Sequence, residues 1–335
     1  MKAAWYERQG PAAEVLVVGE MPERTPGLGE VRIRVRASGV NPGDIKKREG
    51  WLGSQMPYAR VIPHSDGAGE IDQVGAGVTP ARLGEQAWCY GAQSYRQFGT
   101  AAEFVVVPSL QAVALERGMT FEQGACLGIP GLTAHRAVFS DGSVVGRHVL
   151  VNGAAGAVGS MAVALARWGG AIVLATVRRP ADRERALAAG ANQVFLLGKG
   201  QADDDVDGDA DVAAQIRAAA PGGVDRIVEV ALGANGALDA AVITQGGVIA
   251  AYASAEPEPR LPFWPLLFQN ATIRLLGSDD FPQGAKQKAA TELGQCFEDG
   301  KLFLEIGPRF PLDQIAAAHQ AVERPAAPGR VIVTI

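Results

Sequence analysis

Cysteine is scarce in this chain. Its 335 residues include three, Cys89, Cys126 and Cys296, far apart and without a C-x-x-C pair. That excludes a disulfide framework and a zinc site of the usual spacing. Reduced thiols in a cytoplasmic setting are the expectation. Long apolar runs are missing as well, since no stretch reaches the roughly 18 residues that a membrane span needs. The segment Met1–Gly10 is polar and lacks the apolar core of a signal peptide. Charge of one sign is not in excess. The net value of −5 gives no field that would draw nucleic acid or an anionic membrane. The four histidines, His64, His135, His148 and His319, show no metal-ligand spacing, and Cys126 has no histidine at the spacing of a nucleophile pair.

What is there is an ordinary globular balance, 47% hydrophobic and 20% charged. At roughly 150 residues per domain the length suggests two domains. The first third reads as short strands and turns. Val31–Ala37 (VRIRVRA) alternates apolar and basic residues, Gly67–Val78 is Gly-rich with apolar residues between, and Phe104–Val107 precedes Pro108. The texture changes near Phe121. A helical stretch interrupted by Gly128, Pro130 and Gly131 runs to Phe139. Strands then alternate with helices: His148–Asn152, Ala171–Val177, Gln193–Leu197, Arg226–Val230 and Val248–Tyr252 as strands, Val158–Trp168 and Asp182–Ala189 as helices, with Gly190 placed to end the second. That alternation implies an α/β domain with a parallel sheet covered on both faces. Past 257 the chain is rich in Pro and Phe, a helix spans Gly284–Asp299, and the final VIVTI run is a strand expected to pair back with the first domain.

The strongest local signal is Val149-Leu150-Val151-Asn152-Gly153-Ala154-Ala155-Gly156-Ala157-Val158-Gly159. A chain that leaves a strand, turns tightly and starts a helix can present backbone N–H groups to a pyrophosphate. Gly156 permits close approach to phosphate and Gly159 permits helix–sheet packing. The strand before and the helix after supply the context that a Gly-rich loop alone lacks. The next strand ends Ala175-Thr176-Val177-Arg178-Arg179, with no acid to hold ribose hydroxyls. Two guanidiniums suit a 2′-phosphate, which favours NADPH over NADH; otherwise they are solvated surface charges.

The motifs Gly39-Val40-Asn41-Pro42-Gly43-Asp44, Ser65-Asp66-Gly67-Ala68-Gly69, Gly128-Ile129-Pro130-Gly131-Leu132-Thr133-Ala134, the Gly-rich loop and Asp225-Arg226-Ile227-Val228-Glu229 run nearly end to end. With them the chain resembles the zinc-independent quinone oxidoreductases of the medium-chain dehydrogenase/reductase superfamily, the zeta-crystallin group. The resemblance implies a GroES-like β-rich catalytic domain (1–122 and 258–335) and a Rossmann doubly wound NADPH-binding domain (123–257), with the active site in the cleft between them. Zinc-dependent relatives carry Cys where this chain has Asn41 and His where it has Ser65, both poor zinc ligands by comparison. No metal is expected. Asn41, beside the nicotinamide ribose and substrate, and Thr133, near the nicotinamide end, are the implied positioning groups. No general acid stands out, so solvent would supply the proton. The implied cofactor set is Gly153, Ala154, Gly156, Ala157, Val158, Gly159, Thr176, Arg178, Arg179, Ala231, Tyr252 and Arg330, the last facing cofactor phosphate.

The chain departs from its relatives in aromatic residues. A frequent Tyr two residues after Asp44 is Lys46 here, followed by Lys47 and Arg48, and another is Leu196 or Leu197. Trp51 and Tyr58 offer aromatic surface to a substrate instead. Glu229 is either a cofactor-facing group or a hydrogen-bonded helix cap or loop carboxylate. Asp203–Asp211 (DDDVDGDAD) copies half a calcium loop, but Ala214 stands where the closing Glu belongs, so a solvated acidic loop is the reading. The expected function is NADPH-dependent hydride transfer to a small-molecule quinone. The alternatives are an enone or enoyl reductase and a non-catalytic NADPH-binding protein. A homodimer through the apolar strand at Thr272–Leu276 follows from family analogy, with no nucleic-acid or membrane partner.

Overall fold

The computed structural model describes residues 1–198 and 206–335, and of 206–210 the backbone only. Among the described residues, seven strands come first: β1 (Lys2–Trp5), β2 (Val17–Glu20), β3 (Glu30–Gly39), β4 (Asp66–Val74), β5 (Gln86–Cys89), β6 (Phe104–Pro108) and β7 (Ala112–Ala114). Six follow: β8 (His148–Asn152), β9 (Ile172–Val177), β10 (Gln193–Leu196), β11 (Val224–Glu229), β12 (Ile243–Ala251) and β13 (Thr272–Leu275). β14 (Ile306–Pro311) and β15 (Arg330–Thr334) close the chain. One compact unit holds Met1–Pro130, Lys286–Gly294 and Leu304–Ile335, and a second holds Gly131–Ala285 and Gln295–Phe303.

The first unit is built on a seven-stranded sheet in the order β14-β15-β3-β4-β5-β7, with β6 also on β3, beside a β1–β2 hairpin. In β3 the apolar alternation buries Val31, Ile33 and Val35, while Arg34 and Arg36 point to solvent. Arg32, on the same face as Arg34 but itself buried, forks onto Asp72 through Nε at 2.9 Å and Nη2 at 2.8 Å. The VIVTI run does return: β15 lies antiparallel to β3, Val333 opposite Ser38.

The second unit is a six-stranded sheet, β10-β9-β8-β11-β12-β13, parallel throughout. Counted from β8 this is the order 3-2-1-4-5-6 of the doubly wound dinucleotide fold. A parallel sheet covered on both faces needs strands that are apolar on both sides. Val149, Leu150 and Val151 of β8, with Val173, Leu174 and Ala175 of β9, are accordingly buried. The helix Ala157–Trp168 packs through Met161, Ala162, Val163, Ala164, Leu165 and Ala166.

The unit boundaries differ from 122/123 and 257/258. The helical stretch from Phe121 breaks at a wide turn over Leu127–Gly131, and the helix Leu132–Phe139 then belongs to the second unit. At the other end β13 pairs in parallel with β12, Ile249 opposite Ile273, which draws the chain past 257 into the second sheet. β13 is the edge strand expected around Thr272. The acidic segment Asp203–Asp211, Asp211 apart, lies outside the residues whose side chains are described.

Candidate nucleotide site and the Asn41 cluster

In the second unit, β8 ends at Asn152 and the chain turns through Gly153 (φ +70°) into the helix Ala157–Trp168. Gly156 is the N-cap residue, with no side chain satisfying the first-turn N–H groups. A Cβ on Gly159 would lie 2.2 Å from the Gly153 carbonyl oxygen. Only glycine therefore lets this helix close so tightly on its own loop. Ala154 N donates to the Thr176 carbonyl at 3.0 Å, tying the loop to the end of β9. Gly156 and Ala157 are exposed, Val158 is half-buried and Ala154 is buried. The free N–H groups of an exposed helix start, with no side chain above them, are what an anionic group requires.

Beneath this loop lies a buried polar network that joins the ends of β8, β9 and β11. Thr176 Oγ1 donates to Asn152 Oδ1 at 2.8 Å. Asn152 Nδ2 donates to Glu229 and, at 3.0 Å, to Asp239 Oδ1. The other Glu229 oxygen accepts from Ala231 N and, at 2.9 Å, from Asn235 Nδ2. One carboxylate thus fixes both loops flanking the point where the strand order reverses, the usual crevice of this fold. Glu229 and Asp239 are fully buried. Two such carboxyls in contact cannot both be ionised. Burial foremost, then the Glu229 charge, raises the Asp239 acid far above its ordinary range. No donor reaches Asp239 Oδ2. A protonated Asp239 is what its hydrogen bond with the Glu229 carboxylate requires. Sequence reasoning left Glu229 undecided and missed Asp239, Asn152 and Asn235. Ala231 sits in this network, and Tyr252 N donates to the Glu229 carbonyl at 3.0 Å, with burial pushing the phenol up.

The two arginines after β9 differ. Arg178 is exposed and makes no hydrogen bond or ion pair with a described residue. Arg179 is committed to Asp182, through Nε at 2.8 Å and Nη2 at 2.9 Å. Thr133 is buried on the helix Leu132–Phe139.

In the first unit Asn41 starts the helix Pro42–Glu49, and its backbone N–H donates to Asp44 Oδ2 at 2.7 Å. Asp44 is buried, and desolvation pushes its acid up to about 7. The Asn41 side chain is 1% exposed; its Nδ2 donates to Asp66 Oδ2 at 2.8 Å, while Oδ1 has no partner. A buried acceptor without a donor is costly unless a ligand supplies one. Asp66 also takes Ile129 N on Oδ1 at 2.9 Å and Arg330 Nη2 on Oδ2 at 3.1 Å. A Cβ on Gly128 would lie 2.0 Å from Asp66 Oδ1, so glycine there admits the carboxylate. Arg330, expected to face a cofactor phosphate, is 5% exposed, and its Nη2 donates to Asp66. The cause is β15, which runs between β14 and β3 and carries Arg330 inside the unit. Trp51 is exposed under Lys46, whose Nζ lies 4.0 Å from the ring centroid, and the Tyr58 hydroxyl donates to the Tyr95 carbonyl at 2.9 Å. His64, beside Ser65, turns to Ser38 and His319.

The residues standing where a zinc ion would need ligands do not fit one. Asn41 Nδ2 is spent on Asp66, and Ser65 offers a buried hydroxyl in place of imidazole. Among the described residues no group of three His, Cys, Asp or Glu side chains could hold a metal ion. Nor is any helix of the described residues long and apolar enough to cross a membrane.

Residues 27–117 match the alcohol dehydrogenase GroES-like domain, and residues 157–290 match the model named zinc-binding dehydrogenase. The quinone oxidoreductase of mouse (Mus musculus) is 31% identical over 95% of this chain and 92% of its own. That of rat (Rattus norvegicus) is 31% identical over 95% and 92%. The native structure of a mycobacterial quinone oxidoreductase superposes with a TM-score of 0.84 at 25% identity, covering 100% of both chains. With near-full-length likeness on both measures, the Gly-rich loop of the second unit and the Asn41 cluster of the first, the chain belongs to the zeta-crystallin-like quinone oxidoreductases of the medium-chain dehydrogenase/reductase superfamily.

Proposed function

We propose that this chain is an NADPH-dependent quinone reductase that works without zinc. The 31% identity to quinone oxidoreductases over 95% of the chain carries the reaction class. The free Arg178 guanidinium carries the choice of NADPH, because it stands where dinucleotide folds otherwise place an acid for the ribose hydroxyls. The residues present fit that cofactor. The exposed helix start at Gly156–Ala157 suits the pyrophosphate, and Arg178 suits the 2′-phosphate. NADPH, when bound, supplies a hydride.

The chain's own residues position and shield. Asn41 Nδ2 is held by Asp66, so Asn41 presents an acceptor, Oδ1, to a bound hydroxyl or amide. That makes it an orienting group rather than a donor to the oxygen that gains charge, and the proton comes from solvent. Thr133, Trp51 and Tyr58 remain the proposed positioning and substrate groups. The zinc-free reading rests on Asn41 and Ser65, whose chemistry does not suit the metal. The exposed Phe263, Trp264, Phe268 and Leu275 beside the unpaired edge of β13 support a homodimer through that edge. Three buried free cysteines suit a reducing, cytoplasmic setting. Steady-state NADPH oxidation with a panel of quinones and enones tests the reading. Faster turnover of quinones is the expected outcome, and a preference for enones would reassign the acceptor.

A further inference from the structure

We propose that Asp182 is a specificity-determining residue that restrains the preference for NADPH by competing with the 2′-phosphate for Arg179 and Arg185. This inference rests on the NADPH reading above. The chain leaving β9 reads Val177-Arg178-Arg179-Pro180-Ala181-Asp182-Arg183-Glu184-Arg185. Pro180 fixes the start of a tight helical turn over Pro180–Asp182, which brings Asp182 N onto the Arg179 carbonyl at 3.0 Å. The turn folds the carboxylate back onto the guanidinium three residues earlier.

The result is a carboxylate held from two sides. Arg179 donates through Nε and Nη2 to its two oxygens, at 2.8 and 2.9 Å. Arg185 Nη1 reaches Oδ1 at 3.1 Å. The Arg179 hydrogen bond foremost keeps this carboxyl below its usual range. Three charge-assisted bonds from two guanidiniums are what a phosphate would ask for. The remaining basic group nearby is turned away, with Arg183 Nη1 on the Val194 carbonyl at 2.7 Å.

The arrangement also lies against the nucleotide loop. Arg185 Nη2 donates to the Ala155 carbonyl at 3.1 Å, so the Asp182 cluster and the Gly-rich loop share one guanidinium. A 2′-phosphate at the end of β9 therefore meets a resident anion that already holds two of the arginines it would use. Only Arg178 is ready for it, and the Asp182 charge opposes it.

The test is Asp182→Asn, with NADPH and NADH affinities measured by fluorescence titration at low and high salt. The variant keeps an acceptor oxygen but loses the charge. NADPH should bind about three- to tenfold tighter, NADH within about twofold, and the gain should shrink at high salt. An unchanged NADPH-to-NADH ratio, or weaker NADPH binding, would overturn the inference. Arg179→Ala supplies a second reading independent of stability. It should cost NADPH affinity more in the Asp182→Asn background than in the parent, because only there is Arg179 released to the phosphate. Equal losses in both backgrounds would contradict that. Parent protein that binds NADPH no better than NADH would instead remove the cofactor reading itself, and this inference with it.

Discussion

His64 and His319 meet Nε2 to Nε2 at 3.0 Å in the buried interior of the first unit, although 255 residues separate them in the chain. Their hydrogens are fixed by the groups at either end. Arg48 Nε donates to His319 Nδ1 at 3.3 Å, so His319 carries its hydrogen on Nε2 and gives it to His64. His64 then donates from Nδ1 to Ser38 Oγ at 2.8 Å, Ser38 to Thr100 Oγ1 at 2.7 Å, and Thr100 to the Asp66 carbonyl at 2.7 Å. The line of donors works only with both rings neutral. Burial foremost, then His319 and Arg330 around His64 and Arg48 beside His319, holds both below the usual histidine range, His319 down to about 3.

An acid dependence follows. The unfolded chain binds these protons near pH 6.5 while the folded chain refuses them, so the pair's contribution is present above that pH and drains away below it. Asp44, pushed up to about 7 by burial, contributes with the opposite sign. The readout is therefore the stability gap between the parent and His319→Gln. Chemical denaturation should give a gap of about 1–3 kcal/mol near pH 7. It should narrow by up to about 1.4 kcal/mol per pH unit as the solution is acidified toward about pH 4. A gap independent of pH would contradict the neutral pair.

Arg178 and Arg179 should separate by function. Arg178→Ala should weaken NADPH binding about tenfold or more and leave NADH nearly unchanged, since only the 2′-phosphate contact is removed. Arg179→Ala should weaken NADPH less, because its fork is already on Asp182. Calorimetric titration of both variants with both nucleotides reads this directly. Equal loss of both nucleotides in Arg178→Ala would refute the assignment.

Glu229 and Asp239 should show an asymmetry between isosteric and apolar replacement. Asp239→Asn keeps a donor toward Glu229 and an acceptor for Asn152, so it should cost less than about 1 kcal/mol. Glu229→Leu takes one of two acceptors from Asn152 Nδ2, strands Asn235 Nδ2 and the Ala231 N–H, and should cost about 3–5 kcal/mol. Urea unfolding compares them. Equal costs would mean the shared proton is not there.

Asp66 is buried and bonded to Arg330, so Arg330→Ala takes a charged donor away from an interior carboxylate. It should destabilise by about 3–5 kcal/mol. Asn41→Ala removes the orphan acceptor and should lower kcat/KM about 10- to 100-fold with a much smaller shift in Tm. A large Tm loss with normal turnover in Asn41→Ala would make Asn41 a structural residue.

Local patterns carried much of this architecture. The strand–helix alternation from His148 onward, the glycines at 153 and 159, and the returning strand at 330–334 depend on neighbours within a few residues, and each is where the pattern put it. What was hidden depends on chain ends meeting. Arg330 reads as a cation for cofactor phosphate, and nothing in its neighbourhood shows that β15 brings it to Asp66, 264 residues earlier. His64 and His319 have no spacing to betray them. Arg178 and Arg179 are identical in type, and only the turn at Pro180 assigns one to Asp182. Asp239 lies among alanines on the helix Leu232–Val242, and nothing local marks it as the acid that faces Glu229.

The central claim is tested most directly by steady-state oxidation of NADPH and of NADH with a simple quinone, using protein exhaustively treated with a zinc chelator. The expected result is undiminished turnover after chelation, with kcat/KM for NADPH well above that for NADH. Loss of turnover on chelation with recovery on adding zinc, or no oxidation of NADPH by any quinone, would contradict it.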